Sequence, residues 1–114
     1  MTTTTQLDEL LALALGATAT LPPPEETAKV HRRLVAEIRL RLPGAERAAA
    51  AAPVRSRDWY RHHQAMDAAR DALEAVGEEP DPRAGPTAAA VRLAELARHL
   101  RELREYPAEG EVRP

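Results

Sequence analysis

The residues best suited to chemistry in this chain of 114 residues are two adjacent histidines, His62 and His63. On a helix, His63 would share a face with Asp67 and Asp71, which follow it by one and two turns. An imidazole and a carboxylate one turn apart can hold a metal ion or exchange a proton. The same spacing is common on solvated helix faces, and adjacent histidines point about 100° apart. We therefore predict no metal ligand, no catalytic residue and no cofactor.

A second hypothesis is a small-ligand site, or an enzyme pocket, around the only tryptophan, Trp59. Trp59, Met66 and Leu73 recur every seven residues and indicate the buried stripe of an amphipathic helix. Because the chain has no phenylalanine, we predict that Trp59 forms the centre of the core. Tyr60 leaves that stripe, and an exposed tyrosine beside arginines can be a binding hot spot. The candidate ligand-binding residues are Arg57, Trp59, Tyr60, Arg61, His62 and His63.

The histidines themselves have simpler structural explanations. His62 falls on the same stripe as Trp59, so we predict that it packs in the core or at its rim with one hydrogen-bond partner. His31 and His99 lie among charged residues, and we predict that both are at the surface.

Residues 29–61 are rich in arginine, which raises a third hypothesis, a surface for nucleic acid or another anion. The whole chain has 16 basic and 18 acidic residues and a formal net charge of −2. Glu37 precedes Arg41 by one helical turn, and we expect the two to pair on the solvent side. Nucleic-acid-binding proteins have a cleaner separation of charge. We therefore do not expect nucleic acid to be a partner.

Four helices must position these residues, since apolar side chains recur with helical spacing in four stretches and none alternates like a strand. We predict that the second helix is kinked or broken at Pro43-Gly44, so that residues 45–52 form either a separate short helix or its continuation. Short connections favour antiparallel neighbours. In the first helix, Leu13 and Leu15 fall outside the apolar stripe, so this helix is either covered on more than one side or exposed to a partner. The predicted fold is all-α, a small antiparallel bundle of four helices.

The length of the chain suits a single helical domain over residues 1–114, with frayed ends at about 1–4 and 108–114. The absence of cysteine excludes disulfides and zinc–thiolate sites. The first residues have no basic segment typical of a signal peptide. The longest apolar run, residues 10–15, is far too short to span a membrane. We therefore expect a cytoplasmic protein with no membrane partner.

Four short segments occur in an order that resembles a family of small actinomycete proteins. They are residues 21–26 (LPPPEE), 40–46 (LRLPGAE), 58–61 (DWYR) and 91–98 (VRLAELAR). The family is catalogued as a domain of unknown function and is often labelled natural product biosynthesis protein. The resemblance implies an origin near biosynthetic gene clusters, and it implies no activity, catalytic residue or cofactor.

These observations favour a small helical interaction or accessory protein over an enzyme. It would present helix faces to a protein partner or to a second copy of itself, and it could serve or regulate a natural-product pathway. The alternatives are a small-molecule pocket near Trp59 and His62, and a nucleic-acid surface over residues 29–61.

Overall fold

The computed structural model describes residues 3–110, and these form four α-helices joined by turns and short linkers. The fold is all-α as predicted, with no strand in the described part of the chain. The ends predicted to fray lie partly outside it, at residues 1–2 and 111–114. The helices are α1 (Thr4–Leu15), α2 (Pro24–Ala51), α3 (Arg57–Val76) and α4 (Pro86–Leu103).

α3 runs antiparallel to α2. Arg70 in α3 pairs with Glu46 near the end of α2, whereas Gly77 after α3 accepts a hydrogen bond from the ring of His31 near the start of α2. Ser56 caps α3, since its hydroxyl accepts from the Trp59 N–H at 3.2 Å. The predicted antiparallel arrangement of sequential helices is confirmed for this pair.

α4 runs antiparallel to both α3 and α1. Arg61 near the start of α3 pairs with Glu105, just beyond the end of α4, at 2.6 Å. Asp8 near the start of α1 pairs with Arg104 at 2.5 Å. α2 and α4 therefore run parallel to each other. The contacts of α2 with α4 and with α3 are the most extensive, and the flanking helices α1 and α3 do not pack together within the described residues.

The core lies along the α2–α4 contact and is built mainly of leucine and alanine. Its largest fully buried side chains are Leu34, Val35, Ile38, Leu93, Leu96, Leu100, Leu103 and His31. Trp59 is only partly buried and does not belong to this cluster, so the prediction that it forms the centre of the core is wrong. The prediction failed because Trp59 lies at the start of α3, where α4 has already ended.

α2 continues through Pro43 without a break, as one helix of 28 residues. Of the two arrangements predicted for residues 45–52, the structure therefore has the continuation. A Cβ on Gly44 would lie 3.0 Å from the carbonyl oxygen of Pro107 and 3.3 Å from the Cβ of Tyr106. The Glu109 N–H donates to the Leu40 carbonyl at 2.7 Å. The missing side chain of Gly44 thus makes room for residues 104–110, which we call the C-terminal segment.

Two predictions about polar residues in α2 are also wrong. His31 is 1% exposed rather than at the surface, and its Nε2 lies 3.0 Å from the Gly77 carbonyl. Glu37 and Arg41 pair at 2.5 Å, with both side chains about nine-tenths buried rather than in solvent. The burial of these three side chains shows that the buried face of α2 is wider than a single apolar stripe, and this face also includes Thr27.

Candidate functional site

The end of α2 and the start of α3 project past the rest of the bundle. α4 ends at Leu103, and the residues that follow it contact α2 at Leu40 and Gly44. The last seven residues of α2 therefore extend beyond the end of α4, alongside α3 and the linker between them. We call residues 45–63 the α2–α3 tip.

The α2–α3 tip carries a cluster of three rings. Trp59 and Tyr60 meet edge to face with ring centroids 5.0 Å apart and an interplanar angle of 86°. Trp59 and His63 are 4.3 Å apart between centroids, at 48°. His63 follows Trp59 by one helical turn, which brings their rings together on one face of α3. The cluster gives the α2–α3 tip a rigid aromatic surface.

Next to the rings lies a shallow groove of about 300 Å³, which we call the tip groove. Its floor is built from the alanines near the end of α2, whose small side chains leave the space unfilled. The lining residues are Glu46, Ala49, Ala50, Ala52, Val54, Trp59, His63 and Met66. All come from α2, α3 and the linker between them, so no side chain of α1 or α4 closes the groove.

Two exposed apolar side chains stand beside the tip groove. Val54 is 76% exposed, more than any other large apolar side chain in residues 3–110, and Tyr60 is 53% exposed. Val54 lies in a turn that the Ser56 N–H closes onto the Pro53 carbonyl at 2.9 Å. The turn therefore holds an apolar side chain in solvent, where it contributes nothing to folding by burial.

The third residue of this turn has an unusual backbone. Arg55 has φ +68°, and it is the one residue other than glycine with a positive φ in the described part of the chain. A positive φ at the third position alone is the pattern of a type II turn, where glycine or asparagine is normal. An L side chain in this region costs of order 1 kcal/mol. The turn thus keeps an arginine where glycine would relieve strain.

The six predicted ligand-binding residues do not converge on one pocket. Trp59, Tyr60 and His63 form the ring cluster, whereas Arg61 and His62 point toward α4 and the C-terminal segment. Arg57, at the first turn of α3, is exposed and makes no side-chain pair within residues 3–110. The division follows from helix geometry, since consecutive residues are turned by 100° from each other.

His62 confirms the prediction of a residue at the rim of the core with one hydrogen-bond partner. It is partly buried, and its Nδ1 lies 2.5 Å from the hydroxyl of Tyr106. Tyr106 is 4% exposed. Burial of the hydroxyl and the neighbouring Glu105 carboxylate raise the pKa of Tyr106 to about 12, against a smaller lowering by Arg61. This pair fastens the C-terminal segment to α3.

The predicted alignment of His63, Asp67 and Asp71 has the character of a solvated face. Both aspartates are exposed, and His63 stacks on Trp59. Within residues 3–110, no group of three or more histidine, aspartate or glutamate side chains is placed to hold a metal ion.

Many arginines of residues 29–61 are held by carboxylates. Arg32 and Arg39 pair with the two glutamates after α3, Glu79 and Glu78 respectively. Arg61 contacts Glu105 and, at 3.8 Å, Asp58. With Arg41 buried against Glu37, these pairs divide the predicted basic face among separate contacts rather than leaving it continuous.

Two other grooves lie elsewhere on the bundle. One of about 420 Å³ lies at the starts of α2 and α4, and its lining includes Pro22, Pro82 and Pro86. The other, about 690 Å³, lies between α3 and α4 and combines Arg61 and Arg101 with carboxylates. Neither groove contains a ring cluster or a strained residue.

Sequence reasoning missed Val54 and Tyr106, and it placed Arg55 in the arginine-rich region without anticipating its backbone conformation. The pattern Pro53 to Ser56 ahead of a helix indicates a turn, but it does not show that the third residue has a positive φ. Tyr106 was overlooked because it follows the last helix, where apolar periodicity ends. Its position beside Pro107 gave no signal that the C-terminal segment folds back onto α2.

Together, the helix order and the packing define the protein as an up-down-up-down bundle of four helices with a protruding helical hairpin. A family model matches residues 5–111, so the chain belongs to the family of unknown function DUF6415. No curated protein and no solved structure matches the chain. Within residues 3–110, no helix combines the length and apolar character that crossing a membrane requires.

Proposed function

We propose that this protein is a small helical interaction protein that docks a protein partner on the α2–α3 tip. The observation that carries the proposal is the exposure of Val54 and Tyr60 beside the open tip groove. Apolar and aromatic side chains on a rigid helical frame are typical anchors of protein interfaces. Here they lie where two helices project beyond the four-helix body.

The shape of the tip groove favours a protein partner over a small molecule. Its volume of about 300 Å³ is at the lower end of the range for ligand pockets, about 300–1,000 Å³. Its floor consists of alanines, and its polar side chains are Glu46 and His63. An apolar side chain of a partner helix would fill such a groove, and the flat rings of Trp59 and Tyr60 would pack beside it.

The two alternatives have less support. A ligand site or an enzyme pocket near Trp59 and His62 would need both residues on one cavity, whereas His62 faces Tyr106. A nucleic-acid surface over residues 29–61 would need a continuous row of free cations, whereas Arg32, Arg39 and Arg61 are paired with carboxylates.

We further propose that the partner belongs to a natural-product biosynthetic pathway or to its regulation, with the protein acting as an accessory factor in the cytoplasm of an actinomycete. The support for this setting is the resemblance of four sequence segments to proteins with that label. The surface itself is compatible with any helical protein partner, including a second copy of the chain.

Site-specific photocrosslinking in the host of this protein tests the interaction role. A photoreactive phenylalanine analogue replaces Tyr60 at the α2–α3 tip or, as a control, Val91, an exposed apolar residue on α4. We expect a discrete covalent protein adduct from position 60, identified by mass spectrometry, and no such adduct from position 91.

The substitution Val54→Glu should abolish the adduct at position 60, because it places a charge beside the tip groove. An adduct between two copies of the chain would establish self-association as the role of this surface. Equal crosslinking from both positions, or none from position 60, would contradict the proposed function.

A further inference from the structure

The α2–α3 tip has a surplus of unpaired arginines. Its two carboxylates are already engaged, Glu46 with Arg70 and Asp58 with Arg61. The other three arginines of this region, Arg47, Arg55 and Arg57, are exposed and form no ion pair within residues 3–110.

The charge of the α2–α3 tip differs in sign from that of the whole chain. Residues 45–63 contain four arginines and two acidic residues, whereas the complete chain has a formal net charge of −2. A net positive charge therefore lies at the end of the molecule that also exposes Val54 and Tyr60. A partner that approaches this end meets apolar and cationic groups together.

Arg55 combines a cationic side chain with a strained backbone. Glycine at this position would fit the turn without strain, yet the chain has the longest cationic side chain there. A side chain that destabilises its own turn contributes to something other than folding. Val54, the preceding residue of the turn, also contributes little to folding by burial, because it is 76% exposed.

From these observations we infer that the α2–α3 tip binds an acidic, amphipathic segment of a partner protein. This inference rests on the proposed function and specifies the chemistry of the partner. A carboxylate of the segment pairs with the guanidinium of Arg55, whose planar group can bind it through two hydrogen bonds. An apolar side chain of the same segment enters the tip groove beside Trp59.

A peptide fits this surface better than a polyanion such as nucleic acid. Asp67 and Asp71 are exposed on α3, one and two turns beyond His63, and limit the length of the cationic region on that side. The alanine floor and Val54 also need an apolar group, which a nucleic-acid backbone lacks. The cationic region is short, so the complementary segment is short as well.

Selection from a displayed library of random 12-residue peptides against the full-length protein tests the inference. We expect enriched peptides to have a net negative charge and apolar residues at helical spacing. A synthetic copy of the most enriched peptide is then titrated against the variants by fluorescence anisotropy, and a 20-base single-stranded DNA is titrated in parallel.

Arg55→Gly is the decisive variant because binding and stability should move in opposite directions. The variant removes the guanidinium and relieves the turn, so we expect peptide affinity to fall about tenfold while Tm stays the same or rises by a few degrees. Arg92→Ala, which removes an exposed and unpaired arginine from α4, is the matched control and should leave affinity within twofold.

The outcomes separate this inference from the proposed function. Peptides that are neutral or basic, yet lose affinity on Val54→Glu, would overturn the acidic partner and leave the docking surface in place. Peptides that bind Arg55→Gly as tightly as the unchanged protein would likewise overturn the acidic partner and leave the docking surface in place. No enrichment, or enrichment unaffected by either variant, would overturn both proposals. Binding of the DNA but not of acidic peptides would replace the inferred partner with nucleic acid.

Discussion

The body and the α2–α3 tip of this bundle use the same helices in different ways. In the body, Leu34 and Ile38 of α2 and Leu96 of α4 are completely buried. In the α2–α3 tip, the apolar residues of α2 are all alanines, of which Ala45 and Ala49 are buried. The large apolar side chains of α2 thus lie in the body, and only small ones lie in the tip.

This difference has an energetic consequence. Burial of a leucine side chain contributes about 1.5–3 kcal/mol, whereas an alanine contributes far less because its apolar area is small. The body therefore supplies most of the free energy of folding. The α2–α3 tip contributes little, and its aromatic and apolar side chains remain available for contact with another molecule.

Removal of one partner of the buried ion pair in α2 should have the largest effect on the body. Glu37→Ala leaves Arg41 buried without its carboxylate, and we expect the free energy of unfolding to fall by about 3–5 kcal/mol. Chemical denaturation monitored by circular dichroism measures the change. A loss below 1 kcal/mol would show that water reaches Arg41 and that this part of the body is less closed than the structure indicates.

The sequence predicted the helices well because their apolar spacing and their proline and glycine boundaries are local. Pro24, Ser56 and Gly77 begin, cap and end helices where local rules place them. The residues of the core were harder to predict. The spacing around Trp59 shows which face of α3 is inward, but it does not show how far α4 extends. Helix length relative to a neighbour is a tertiary property.

The candidate site was predicted only in part for the same reason. Trp59, Tyr60 and His63 were named from their proximity in sequence, and they do lie together. Arg61 and His62 were grouped with them but face another element. The burial of His31 could not be anticipated, since it depends on the turn after α3, and local spacing does not distinguish the buried pair Glu37–Arg41 from a solvated one.

Paired alanine substitutions compare the two regions directly. Leu96→Ala in the body should lower the free energy of unfolding by about 2–5 kcal/mol, because it leaves a cavity among buried side chains. Trp59→Ala in the α2–α3 tip should cost about 1–2 kcal/mol, although it removes a larger side chain, because Trp59 is only partly buried. Denaturant titration of both variants gives the two values. Equal losses would mean that Trp59 has the role of a core residue after all.

At the boundary between the regions, Gly44→Ala should destabilise the fold by about 1 kcal/mol. In the interior of a helix, alanine is more favourable than glycine by about 1 kcal/mol. Its Cβ would, however, lie 3.0 Å from the Pro107 carbonyl oxygen and displace the C-terminal segment, at a cost of about 1–3 kcal/mol. The sign of the change in the free energy of unfolding therefore shows which of the two effects is larger. A more stable variant in thermal unfolding would show that the segment is not held against α2.

The tyrosine of the C-terminal segment should make stability depend on alkaline pH. The pKa of Tyr106 is about 12 in the folded protein and about 10 when unfolded, so the unfolded chain loses this proton first as pH rises. Stability from this group is complete below pH 10 and falls between pH 10 and 12, by at most about 1.4 kcal/mol per pH unit. Tyr106→Phe should remove that part of the decline in urea titrations, whereas Tyr60→Phe, at an exposed position, should not.

The smallest effect on folding is expected at the most exposed residue of the α2–α3 tip. Val54→Ser removes an apolar side chain that is 76% exposed, and we expect the free energy of unfolding to change by less than about 0.5 kcal/mol. The midpoint of urea denaturation, compared with that of the unchanged protein, provides the measurement. A loss above 1 kcal/mol would show that Val54 packs against the fold in solution and is unavailable to a partner. An unchanged midpoint together with lost crosslinking from position 60 would distinguish the α2–α3 tip from the body. Val54 would then be a residue that folding does not require and that binding does require.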